Sequence, residues 1–97
     1  MEIKIQAIHF DATDALEQFV NKKIEKLARK NPEILLAEVN LKVVKPESAK
    51  NKEAVITIKY PQAADIVVNK TADTFEEAID LGIAALEPQL EKVKSRK

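Results

Sequence analysis

Cysteine is absent from this 97-residue chain, histidine and glycine occur once each, and the sum of formal charges is zero. Each scarcity removes a class of chemistry. Without cysteine there is no disulfide framework, no thiol nucleophile and no thiolate metal site, and an intracellular setting is the simpler expectation. The single glycine, Gly82, lies inside an apolar helical stripe, so no glycine-rich loop is available to cradle a phosphate. Its expected role is close packing against a sheet. The single histidine, His9, stands beside Phe10 and Asp11, and a lone His-x-Asp pair is more often a loop contact than an acid–base couple; no nucleophile is placed to use it. The acidic residues of the last helix have no histidine or thiolate companions and resemble no transition-metal site. No apolar run approaches membrane-spanning length, and the N-terminus alternates Glu2, Lys4 and Gln6 with Ile3 and Ile5, unlike a signal peptide. These absences leave catalysis little to work with and predict no cofactor, no metal site and no membrane contact.

What is present is a globular composition: 45% hydrophobic and 33% charged residues, neither the low apolar content nor the charge imbalance of a disordered chain. The length suits one domain, residues 1–97, burying roughly 60–70% of the surface of its unfolded chain. With 16 basic and 16 acidic side chains, any electrostatic attraction to nucleic acid must be local.

Periodicity gives the elements. Residues 1–8 alternate, with Met1, Ile3, Ile5 and Ala7 on one face of a strand. Thr13 before Asp14 marks a helix start. Leu16, Phe19, Val20, Ile24 and Leu27 then recur at helical spacing until Asn31 and Pro32 end the run. Residues 35–43 place Leu35, Ala37, Val39, Leu41 and Val43 on one face of a second strand. A polar hairpin loop, 45–53, leads to a third strand with Ala54, Ile56, Ile58 and Tyr60 inward. Residues 61–64 separate it from a fourth strand at 65–70. The last helix is expected to start at Asp73, capped by that carboxylate, with Glu76 reaching back as in a capping box. Phe75, Ile79, Gly82, Ile83, Leu86, Leu90 and Val93 form its apolar stripe. Pro88, which removes the amide that would bond Ala84, predicts a bend or break at 84–88. The order βαβββα predicts an α+β two-layer sandwich: a four-stranded sheet with two helices on one face. Strands one and two should be parallel through a right-handed crossover and the later strands antiparallel.

Charge is sorted on both helices. On the first, Lys22, Lys26, Arg29 and Lys30 cluster on one flank of the apolar stripe, and Lys23 falls within the stripe, its stem expected to snorkel so that the amine emerges near the groove between the helices. On the second, Glu76, Asp80, Glu87 and Glu91 gather on one flank and Lys92 and Arg96 on the other. The two helices are thereby expected to share a basic groove while turning the acidic flank away from it. The ordinary reading of such bias is that bases near a helix C-terminus and acids near an N-terminus complement the macrodipole.

Taken in order, IKIQAIHFDATDALEQFVNKKIEKL, the strands AEVNLKVV and AVITIK, the phrase DTFEEAID and the terminal QLEKVKSRK resemble the hibernation-promoting factors of bacterial ribosomes, over essentially the whole chain. The resemblance implies a cytoplasmic βαβββα domain, not an enzyme and with no small-molecule substrate, that binds the small ribosomal subunit and its rRNA in the channel of messenger and transfer RNAs, silencing translation when growth stops. It implies that Lys22, Lys23 and Lys26 on helix one and Lys92, Lys94 and Arg96 at the end of helix two face RNA; Arg29 and Lys30, on the same flank, complete the RNA-binding candidates. The chain departs from the family pattern at Ala85 and Pro88, where basic residues are common, and at Glu76, where tyrosine is usual. Long members append a ribosome-pairing domain, which is not expected here. The extended tail of the related ribosome-associated inhibitor is not expected either, which makes the short hibernation factors the nearer match, with a monomer in isolation expected. The neutral charge and the departures also suit a second reading, a protein-interaction domain or stability-optimised scaffold of the same fold with no RNA role.

Overall fold

The computed structural model describes residues 2–8, 10–45 and 49–95, the side chains of Lys94 and Ser95 excepted. Met1, His9, residues 46–48 and residues 96–97, on which parts of the expected first strand, the hairpin loop and the basic C-terminal end fall, lie outside the described residues. The element order is β1 (Glu2–Ile8), α1 (Asp14–Lys30), β2 (Leu36–Val43), β3 (Lys52–Lys59), β4 (Ile66–Ala72) and α2 (Phe75–Ser95). The sheet runs in the order β1-β2-β3-β4. β1 pairs with β2 in parallel, and β2 with β3 and β3 with β4 are antiparallel. The expected α+β architecture is the one observed.

Alternation decides which face is covered. Ala37, Val39 and Leu41 of β2, Ala54, Ile56 and Ile58 of β3, and Ile66 and Val68 of β4 are buried, and the register sets Val39 opposite Ile56 and Ile56 opposite Val68. On the helices, Leu16, Val20, Ile24 and Leu27 of α1 and Phe75, Ala78, Ile79, Leu86 and Leu90 of α2 enter the same core. α2 lies over β3 and β4, while α1 packs beside α2 and toward β1. Phe19, expected in the core, is only half-buried at its margin.

Helix ends follow local chemistry. Thr13 caps α1, its hydroxyl accepting from the Leu16 amide at 3.1 Å. At the other end Asn31 is buried, donating its side-chain amide to the Leu27 carbonyl at 2.9 Å and its backbone N–H to Ala28 at 3.0 Å; Pro32 then follows. Two expectations need correction, and of the bend or break expected at Pro88 the break is excluded. The cap of α2 is Thr74, whose hydroxyl accepts from the Glu77 amide at 3.1 Å, whereas Asp73 accepts from the Lys50 amide at 2.9 Å and ties the β2–β3 loop to the helix start. Leu35 is 59% exposed: β2 begins one residue later, and Ile34, turned inward by its amide bond to the Asn31 carbonyl, fills the core instead. No break occurs at Pro88, which sits inside one helix, Phe75–Ser95. Ala84, whose carbonyl the proline leaves without an amide donor, and Pro88 itself are both exposed, so water can meet the lost bond.

Candidate functional site

α1 and α2 bound a narrow cleft of about 210 Å³ lined by Lys23, Lys26, Leu27 and Lys30 from one helix and Asp80, Ile83, Ala84 and Glu87 from the other. Its floor is apolar because Leu27 belongs to the core and Ile83 packs against it. Its rims are charged. Lys23 Nζ stands 3.2 Å from Asp80 Oδ1, and Lys30 Nζ stands 3.9 Å from Glu87 Oε2. In each helix the partners are seven residues apart, about two turns or 10.5 Å. Because the pairs advance together along both helices, α1 and α2 run side by side in the same direction, and the two ion pairs form rungs with Lys26 between them.

This arrangement corrects the expected distribution of charge. The groove is not basic on both sides: α1 supplies cations and α2 supplies anions, so Asp80 and Glu87 face the groove rather than turning away from it. Helical periodicity assigns residues to flanks of an apolar stripe but not to the neighbour each flank meets. Here the attraction between the basic flank of α1 and the acidic flank of α2 favours the observed choice. Lys92, twelve residues beyond Asp80, is about 120° further round the axis, and it is exposed and absent from the groove lining. Lys94 belongs to α2 by its backbone, but its side chain and all of Arg96 lie outside the described residues.

Lys23 emerges as its sequence position suggests. Half-buried, it runs past the Phe19 ring, with Nζ 5.4 Å from the ring centroid, and ends in the groove. A cation over a ring at a partly exposed site contributes about 0.5–1 kcal/mol, comparable to the 0.2–1 kcal/mol of an exposed ion pair. Lys22, Lys26 and Arg29 are exposed and follow one another at i, i+4 and i+7. They form a strip on the outer rim of the groove, spanning about 10 Å along the axis. Arg29 and Lys30 also occupy the last turn of α1, where positive charge meets the exposed carbonyls of the helix end. All five candidate cations of α1 thus lie on or in one rim.

Two contacts that periodicity did not reveal fix the frame around the groove. Phe10, in the β1–α1 connection, stacks on Phe75 at the start of α2, with centroids 4.9 Å apart and planes inclined by 5°. At the other end of the molecule the Tyr60 hydroxyl donates to the Glu33 carboxylate at 2.7 Å. That hydrogen bond, with burial and the carboxylate charge, holds the phenol above its ordinary pKa.

Residues 3–97 match the model of the family described as Sigma 54 modulation protein / S30EA ribosomal protein. The chain is 30% identical over 96 residues to the ribosome hibernation promoting factor of Azotobacter vinelandii, an alignment covering 99% of this chain and 85% of the relative. Among solved structures, the N-terminal domain of Protein Y from Thermus thermophilus superposes with a TM-score of 0.79 at 26% identity, over 96% of this chain and 99% of that one. A ribosomal subunit interface protein from Coxiella burnetii superposes with a TM-score of 0.86 at 24% identity, over 98% and 99% of the two chains, and shows the shared fold. With the sheet order, the two helices and the length of the match in agreement, the chain belongs to the Sigma 54 modulation protein / S30EA ribosomal protein family, whose members include the ribosome hibernation promoting factors.

Proposed function

We propose that this protein acts in the cytoplasm as a ribosome hibernation factor: residues 1–97, as one domain, bind the small ribosomal subunit through its rRNA in the messenger and transfer RNA channel and so inhibit translation. The activity is binding and occlusion, not catalysis. The observation that carries this reading is the cationic rim of α1, with Lys22, Lys26 and Arg29 exposed at i, i+4 and i+7 above a groove that also holds Lys23 and Lys30. A strip of this kind can follow a phosphate backbone while the net charge of the whole chain stays at zero, because attraction falls off over a Debye length of about 8–10 Å at physiological salt. Lys92, Lys94 and Arg96, on or beyond the last turns of α2, are assigned to outer contacts with the same rRNA.

The two inter-helix ion pairs favour a second reading, a protein-interaction domain of the same fold, since they commit two of the five α1 cations internally. The readings separate on RNA. Under the first, the protein co-sediments with small ribosomal subunits at low salt, the binding constant falls steeply as salt rises, and a cell-free translation reaction is inhibited over the same concentration range. Absence of co-sedimentation at low salt would favour the second.

A further inference from the structure

From the two rungs that cross the groove, we infer that Asp80 and Glu87 are internal competitors of RNA phosphate, holding Lys23 and Lys30 so that RNA affinity is set by α2 as well as by the lysines of α1. The inference rests on the proposed RNA-binding reading and adds to it the device that regulates affinity at that surface. Three observations converge. Both acids lie on the groove side of α2 and each meets a different lysine. The seven-residue spacing matches on both helices, so both contacts form without distorting either one. The four side chains remain 41–59% exposed, which leaves the pairs weak enough for a polyanion to exchange with the carboxylates.

The consequence is a graded surface. Lys22, Lys26 and Arg29 meet an incoming phosphate strand first, whereas Lys23 and Lys30 join only if phosphate displaces Asp80 and Glu87. The displaced carboxylates then remain beside the strand and repel it. Ligands of low charge therefore gain little from the groove, while a dense phosphate backbone engages the whole rim.

The test compares the parent protein with the isosteric variants Asp80→Asn, Glu87→Gln and their combination. Binding to single-stranded polyuridylate RNA is followed by fluorescence anisotropy, and binding to small ribosomal subunits by co-sedimentation, across a salt series. Each substitution is expected to tighten binding about two- to five-fold at low salt, as exposed pairs of this kind allow. The double variant is expected to steepen the dependence of log K on log salt by up to about 1.4 on the single strand, about 0.7 for each cation released. Lys23→Gln should cost little affinity in the parent and clearly more in the Asp80→Asn background, a non-additivity that a purely structural brace would not produce. Unchanged or weakened RNA binding by the double variant, with parental binding intact, overturns the inference and leaves the hibernation reading standing. Tighter polyuridylate binding with no ribosome binding by any variant sustains the inference and removes the ribosomal reading. Failure of every variant to bind either RNA overturns both.

Discussion

Gly82 offers a quantitative test of how closely α2 lies on the sheet. A Cβ at this position would stand 2.8 Å from Ile56 Cδ1, with Ile56 Cγ1 and Val68 Cγ2 next at 3.7 Å. Ile56 is fully buried and sits in the middle of the core, so its terminal methyl has little room to give. Gly82→Ala gains about 0.8–1.0 kcal/mol of helix propensity and incurs about 1–3 kcal/mol of overpacking. The expected net loss is about 1 kcal/mol, a fall in Tm of about 4–8 °C for a chain of this size. Ile56→Val removes the clashing methyl and by itself costs about 0.5–1.5 kcal/mol through the space it leaves. In the double variant the new alanine methyl meets that space, and its remaining neighbours stand at ordinary van der Waals distance. The double variant should therefore be about 1 kcal/mol more stable than the sum of the single effects, as contacting residues couple. Thermal and urea denaturation of the four proteins of the cycle measure this. A Tm that rises with Gly82→Ala, or single effects that simply add, would refute the close approach of α2 to β3.

Lys50 has φ 54°, in the left-handed region that costs an ordinary L-residue about 1–2 kcal/mol, while glycine adds about 0.5–1 kcal/mol of chain entropy to lose on folding. Lys50→Gly keeps the amide bonded to Asp73 and is expected to stabilise by up to about 1 kcal/mol in urea denaturation; a clear loss of stability would contradict the loop conformation. Tyr60 is expected to impose an alkaline limit. Its folded pKa lies above the ordinary value of 10.0, so the neutral phenol contributes stability that is present below about pH 10 and is lost as pH rises through the folded value. Tyr60→Phe should lower stability at neutral pH and flatten its decline above pH 10, and parallel curves for the two proteins would refute the Glu33 hydrogen bond as the cause.

The sequence carries the fold because every element is amphipathic with the correct period. Ala54, Ile56 and Ile58 can only be a strand with one face covered, and Leu16, Val20, Ile24 and Leu27 can only be a helix with one stripe buried. Element ends were less legible where two neighbouring residues compete for one role. Asp73 and Thr74 can each cap α2, and the choice falls to Thr74 because Asp73 is drawn to Lys50 across the β2–β3 loop, a contact 23 residues distant. Ile34 and Leu35 compete in the same way, and the turn at Asn31 decides for Ile34. The cationic residues of α1 were all visible from spacing. Their partners were not, since whether Asp80 faces Lys23 depends on the flank each helix turns to the other. The complementary seven-residue spacings, Lys23 to Lys30 and Asp80 to Glu87, are the signal that could have revealed the pairing.

On the proposed reading the cationic rim of α1, and not charge in general, engages small-subunit rRNA. Co-sedimentation with small ribosomal subunits across a salt series, comparing Lys22→Glu/Lys26→Glu with the equally charged Lys42→Glu/Lys59→Glu control on the open face of the sheet, separates the two. The α1 variant should melt like the parent within about 1 kcal/mol, as exposed substitutions do, yet lose binding, with any residual salt dependence shallower by about 0.7–0.9 for each contact removed. The control should bind like the parent. Equal binding by both double variants, or an equal loss in both, would contradict the claim that the α1 rim reads the RNA.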